Sequence, residues 1–176
     1  KYVEDDYVGS MAYYTNDYPD LVNSPEEFVY YVPTNDIQTT YYDRDYANGY
    51  EADLILDPSA WDNSSYYMVF MCGDDKIVHI QTDCDNDRRL VIFKDSYGNA
   101  LVPCLTSSFS EIYVCDMRYF NLNAIDFIQE EAKATDVLFC MNLFSANGPN
   151  GQDLEVVRTQ NAAYDTSSWE DADTEF

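Results

Sequence analysis

Between Arg89 and Asn142 the sequence alternates short apolar runs with helical patterns, and this alternation most restricts what the chain can fold into. Leu90-Val91-Ile92-Phe93 is followed by Lys94-Asp95-Ser96-Tyr97-Gly98-Asn99-Ala100 and an amphipathic segment to Leu105. Ile112-Tyr113-Val114-Cys115 leads into Asp116-Met117-Arg118-Tyr119-Phe120, and a helical pattern covers 124–133. Val137-Leu138-Phe139-Cys140-Met141 then ends at Asn142. Such alternation predicts a βαβαβ unit with a parallel sheet. The runs lack polar alternation, as strands covered on both faces do. The expected fold class is therefore α/β: a three-layer, mainly parallel, flavodoxin-like sheet. The strands at 90–93 and 137–141 should be neighbours or lie one strand apart, joined by right-handed crossovers. Cys115 and Cys140, inside such strands, should be reduced and buried.

In open α/β sheets ligands sit beyond the carboxyl ends of the strands. Asp95, Ser96, Tyr97, Asn99, Asp116, Arg118 and Asn142 occupy those places and are the main functional signal in the sequence.

The rest of the chain is read around this stretch. Phe28-Val29-Tyr30-Tyr31-Val32 is β-branched and aromatic and reads as a strand ended by Pro33. Further strands are expected at 37–42 and 51–56, together an N-terminal antiparallel β excursion. Tyr7 to Ala12 suits a short extended piece. Segments 66–72 and 76–81, around the turn Gly73-Asp74-Asp75, read as a β-hairpin. A turn cluster spans 145–151 and a short helix is expected over 153–160. The division that follows is one α/β domain over 1–161, irregular and β-rich to 66 and sheet core from 67. An acidic tail or linker takes up 162–176.

The 176 residues suffice for one domain with a sizeable core. A formal net charge of −24 excludes nucleic acid and anionic membrane as natural partners. Neutral glycans, cations and basic proteins stay compatible. No apolar stretch reaches the roughly 18 residues of a membrane span. Lys1 is not a natural start, so a mature or excised form is expected. The five cysteines include no CxxC pair, which argues against a zinc site or disulfide scaffold, although Cys72 and Cys84 could pair across the expected hairpin.

Ser96, between a strand and a helix, suits a nucleophile whose oxyanion would face backbone N–H groups; position alone favours the simpler reading, in which Asp95 or Ser96 caps that helix. A serine nucleophile needs a base, and the single histidine, His79, lies in the apolar strand segment Ile77-Val78-His79-Ile80. It reads better as a surface or pocket residue. Arg118 suits a carboxylate or sugar oxygen, or a local salt bridge to Asp116 or Asp95. Asp83, Asp85 and Asp87 resemble the start of a calcium loop, but Arg88 and Lys94 stand where glycine and glutamate are needed, so a solvated acidic loop is expected and no metal. The tyrosines and Trp61 could stack on sugars or fill a core.

The segments 90–103, 110–120 and 135–139, in this order and spacing, resemble the C-terminal half of the DHHW proteins of Gram-positive gut bacteria. Tyr7-Val8-Gly9-Ser10 and 67–80 also look like family segments. Those proteins are cell-surface or secreted, SGNH-hydrolase-like and similar to the alginate O-acetylation proteins. The resemblance implies a partial SGNH fold with Ser96 as nucleophile. It implies a substrate pocket that includes Asn99, Arg118 and Asn142; Tyr97, at the same strand end, is a further substrate-binding candidate. The family draws its aspartate and histidine from an Asp-His-His-Trp motif upstream of the serine, and this sequence contains none.

The resulting expectation is the C-terminal part of an extracellular or cell-surface carbohydrate esterase or O-acetyltransferase. It would act without a cofactor on a surface polysaccharide and be inactive as this chain. The alternative is a non-catalytic carbohydrate- or protein-binding module.

Overall fold

The structure is a computed structural model and describes residues 1–147. The expected helix at 153–160 and tail at 162–176 lie outside them.

Among the described residues, eight strands form two sheets. β1 (Tyr2–Tyr7) and β2 (Glu26–Tyr30) make a separate antiparallel hairpin, with α1 (Ser10–Tyr14) and α2 (Pro19–Val22) in its connection. Its register slips between Glu4 and Tyr7.

The main sheet contains β3 (Ile37–Tyr42), β4 (Tyr50–Glu51), β5 (Ile77–Thr82), β6 (Arg89–Lys94), β7 (Glu111–Asp116) and β8 (Asp136–Cys140) in the order β4-β3-β5-β7-β6-β8. β6 lies at the centre of a parallel trio with β7 and β8. The apolar runs that suggested βαβαβ are these three strands.

The three-layer, mainly parallel sheet expected from them is not what forms. β5, β3 and β4 continue the sheet on the far side of β7, and every pairing among them is antiparallel. The sheet is mixed, and the helices are few and short. The reason lies in the connections. A 3-10 turn at Ser96–Gly98 and one turn of helix, α3 (Val102–Leu105), link β6 to β7. α4 (Ala124–Asp126) runs into a π-helical segment, Phe127–Glu131, between β7 and β8. The strands expected to form a small excursion, β3 and β4, instead belong to the main sheet.

The hairpin expected over 66–81 also fails. Tyr66–Val69 is a 3-10 helix, and only β5 is a strand. Of 51–56, only Glu51 is in β4, and Ile55 makes one isolated bridge to Phe70. Within the expected turn cluster at 145–151, Ser145 to Asn147 belong to a helix, α5 (Leu143–Asn147).

Because side chains alternate along a strand, β6 feeds both faces. Leu90 and Ile92 pack with Val78, Ile80, Ile112, Val114, Val102 and Phe109 on one face. Val91 and Phe93 pack with Tyr113, Cys115, Ala124 and Phe127 on the other. A third cluster joins the small hairpin to Val69 and Phe70. All five cysteines are free, Cys72 and Cys84 included. Cys115 is fully buried, and burial raises its thiol pKa. Cys140 is only partly buried, because β8 is the edge of the sheet rather than an interior strand.

Candidate functional site

The C-terminal ends of β6, β7 and β8 meet at Ser96. Asp95 leaves β6 in extended conformation, and its Oδ1 accepts from the Tyr97 N–H at 3.0 Å, which opens the 3-10 turn. Its Oδ2 accepts from both the Asn142 N–H (2.8 Å) and Asn142 Nδ2 (2.6 Å), tying the end of β8 to the end of β6. Asn142 Oδ1 in turn accepts from the Phe144 and Ser145 N–H groups and starts α5. The capping role weighed for this turn therefore falls to Asp95 rather than to Ser96.

The carbonyl of Ser96 accepts from the Tyr67 hydroxyl at 2.9 Å and from the Asn99 N–H at 3.2 Å. Ser96 is half-buried, and its Oγ makes no hydrogen bond among the described residues. Gly98 lets the turn sit this close to the strand: a Cβ there would lie 2.7 Å from the Lys94 Cβ. Tyr97 is 74% exposed and stands at the surface beside the serine.

Beneath the turn lies a buried ion network. Lys94 Nζ donates to Asp74 Oδ1 at 2.8 Å and to Asp116 Oδ2 at 3.3 Å. Arg118 grips Asp116 through Nε (2.9 Å) and Nη2 (2.8 Å), and Nη2 also reaches Asp74 Oδ2 at 2.9 Å. Asn99 Nδ2 donates to Asp74 Oδ1 at 3.0 Å, while its buried Oδ1 has no partner. Two cations face two carboxylates, so the network is neutral. Burial works to raise the Asp74 pKa, but Lys94, Asn99 and Arg118 outweigh it and hold the carboxyl below its ordinary value. Arg118 is raised above its ordinary value, chiefly by its hydrogen bonds to Asp116.

The chain brings Ser96, Tyr97, Asn99, Arg118 and Asn142 together, as the strand-end argument expects. It also occupies several of them. Arg118 forms a salt bridge to Asp116, one of the two partners weighed from the sequence, and to Asp74 rather than Asp95. Asn142 serves Asp95 and α5.

Lys94, Asp74 and Tyr67 were not anticipated. A lysine closing an otherwise apolar buried strand was the available signal, since a buried cation needs a partner. Asp74 carried none. It is delivered by three successive left-handed residues, Met71 (φ 65°), Cys72 (φ 49°) and Gly73 (φ 116°), two of which are not glycine.

His79 is elsewhere. It pairs with Tyr113, which pairs with Val91, so it sits level with the first half of β6. Val91 is five residues before Ser96, which places His79 about 16 Å along the strand from the Ser96 turn and two strand spacings, about 10 Å, to the side. Its Nε2 lies 3.0 Å from Glu111 Oε2, and its ring stacks on Tyr113 at 4.3 Å. Burial pulls the His79 pKa down and outweighs the opposing pull of Glu111. Tyr113 Oη and Arg89 Nε also hold Glu111.

Among the described residues no group of three or more His, Cys, Asp or Glu side chains gathers as a metal site. No described helix is long and apolar enough to cross a membrane.

The site is thus a serine on a tight turn at the end of a parallel strand, over a neutral ion network. The DHHW protein family model matches residues 2–115, and the chain belongs to this family. A crystal structure of a DHHW family protein from Eubacterium siraeum is 43% identical, with a TM-score of 0.78, over 88% of this chain and 52% of that one. PatB1 from Bacillus cereus is more distant. With a sulfonyl adduct it is 24% identical over 67% of this chain and 42% of that one, with a TM-score of 0.56. A second PatB1 structure gives 26% identity over 66% and 40%, with a TM-score of 0.55. The chain thus spans about half the length of these solved relatives. No curated protein matches.

Proposed function

We propose that this chain is the serine-bearing, C-terminal part of an SGNH-like carbohydrate esterase or O-acetyltransferase. It works outside the cell on a surface polysaccharide and is inactive alone. The observation that carries this reading is the Ser96 Oγ. Among the described residues it is unengaged, while the turn around it is fixed by Asp95, Tyr67 and Asn142. A positioned hydroxyl of this kind attacks an acyl carbonyl once a base removes its proton. The Oγ–acyl bond forms, the sugar oxygen leaves with that proton, and water or a second sugar hydroxyl then takes the acyl group. Family membership supports the polysaccharide as substrate class.

The base must come from outside the described residues, because His79 is held by Glu111 at a distance from the turn. Tyr97, exposed beside the serine, offers a ring face to a sugar. Asn99, Arg118 and Asn142 are the residues by which family resemblance extends the substrate site from the serine.

The test joins this chain to a segment carrying Asp-His-His-Trp and measures p-nitrophenyl acetate turnover and acetyl transfer to a polysaccharide. Ser96-dependent turnover is expected. Equal rates with and without Ser96→Ala would sink the reading. The competing reading, a non-catalytic binding module, is favoured by the ion pairs that already occupy Arg118. Glycan binding unaffected by Ser96→Ala, with no turnover in the joined protein, would establish it.

A further inference from the structure

The two edges of the main sheet are built differently. β4 is two residues long, exposed, and carries Glu51. Brevity and charge are the usual devices that keep an edge from recruiting another strand. β8 has neither. It pairs with β6 without interruption from Asp136 to Cys140, and its one charge, Asp136, is taken by Arg88 at 2.6 Å. Residues 137–140 are Val, Leu, Phe and Cys.

Leu138 and Cys140 point into the first core face. Val137 and Phe139 point to the other and are 42% and 47% exposed, although their partners on β6, Val91 and Phe93, are wholly buried. Phe139 stacks on Phe93, ring centroids 5.5 Å apart, so apolar surface continues across the strand and stops in solvent. Leu143 and Phe144, just beyond, extend it and are largely exposed.

The length of the relatives leaves a polypeptide large enough to supply an occupant for this edge. The chain spans 52% of the E. siraeum structure and 42% and 40% of the PatB1 structures, so about half of each relative lies outside the shared part. A second copy of this chain is disfavoured as the occupant, since each copy carries a net charge of −24.

We infer that β8 accepts a further β-strand, apolar at alternate positions, from a polypeptide equivalent to the part of a DHHW protein that this chain does not span. The N–H and C=O groups on the outer edge of β8, which pair with no other strand among the described residues, pair with the incoming backbone, and its alternate side chains cover Val137 and Phe139. The inference concerns the sheet edge and holds whether or not Ser96 is a nucleophile.

The experiment uses overlapping peptides that tile the unmatched half of the E. siraeum protein, with binding to this chain read by fluorescence anisotropy and hydrogen exchange. At least one tile should bind and slow exchange over 137–140. Val137→Lys should weaken that binding about tenfold, because the cross-strand apolar contact becomes a charge. Val137→Thr, which keeps the branched shape of a strand residue, should weaken it less. Glu51→Lys, on the opposite edge, should leave it unchanged. Failure of every tile to bind, or binding indifferent to both Val137 variants, would overturn the inference. So would sedimentation showing a dimer of this chain that Val137→Lys dissociates, since a second copy would then be the occupant.

Discussion

The two ends of the parallel strands contain the same kinds of groups arranged to different effect. At the carboxyl end of β6 the chain buries Lys94 and Asp116 and half-buries Asp74 under Ser96, and among the described residues the serine hydroxyl is unengaged. At the amino end it hydrogen-bonds His79 to Glu111, which Tyr113 and Arg89 also hold, and stacks the imidazole on Tyr113, while burial lowers its pKa. A serine and a histidine are both present, but the sheet holds them at opposite ends. A catalytic dyad depends on hydrogen-bond reach between its members rather than on their presence in one sequence.

The largest expected effect falls on the carboxyl end. Asp116→Ala leaves Lys94 and Arg118 facing one carboxylate in place of two. The side chain of Asp116 is fully buried, and removing one partner of a buried pair costs about 3–5 kcal/mol. Urea unfolding should show it, whereas Glu111→Gln at the other end, where the neighbours keep partial solvent access, should cost about 1 kcal/mol. Equal losses would mean that the two ends are not as different as their burial indicates.

Next in size is Asn142→Ala. It removes one hydrogen bond to Asp95 and the cap of α5, for about 1–2 kcal/mol in the same assay. Hydrogen exchange should quicken at 95–97 and leave 77–80 unchanged.

A smaller effect separates the ends by pH. His79 is lowered in the fold, so the unfolded chain takes up its proton first as pH falls. The stability this provides is complete above the ordinary histidine value of about 6.5 and declines as pH drops through it. Asp74 and Glu111, whose values are also lowered, contribute above the ordinary carboxylate range, about 4, and lose their share only below it. Urea midpoints between about pH 7.5 and 5 should therefore fall in the native chain and stay nearly flat in His79→Phe. A parallel fall in both would show that His79 titrates as in the unfolded chain.

The legibility of the molecule in its sequence divides in the same way. The three parallel strands were readable because complete apolar runs of four or five residues admit few other fates. The residues gathered at their ends followed from the strand positions alone. The mixed character of the sheet was not readable. A run such as Lys76-Ile77-Val78-His79-Ile80 shows that a strand forms, but not which neighbour it joins or in which direction. Segment 66–72 misled because an aromatic apolar run suits a strand and a buried 3-10 turn alike. Asp74 reaches its cations through backbone in a left-handed conformation, which Met71 and Cys72 do not advertise.

The central claim is that Ser96 and His79 do not form a catalytic pair in this chain. The most direct measurement is p-nitrophenyl acetate turnover by the native chain, by Ser96→Ala and by His79→Ala. A serine without a base stays protonated and is a poor nucleophile near neutral pH. The account expects three equal rates at the level of background hydrolysis. An active native chain whose activity is abolished by Ser96→Ala and by His79→Ala alike would contradict it, and would make this chain a self-contained enzyme.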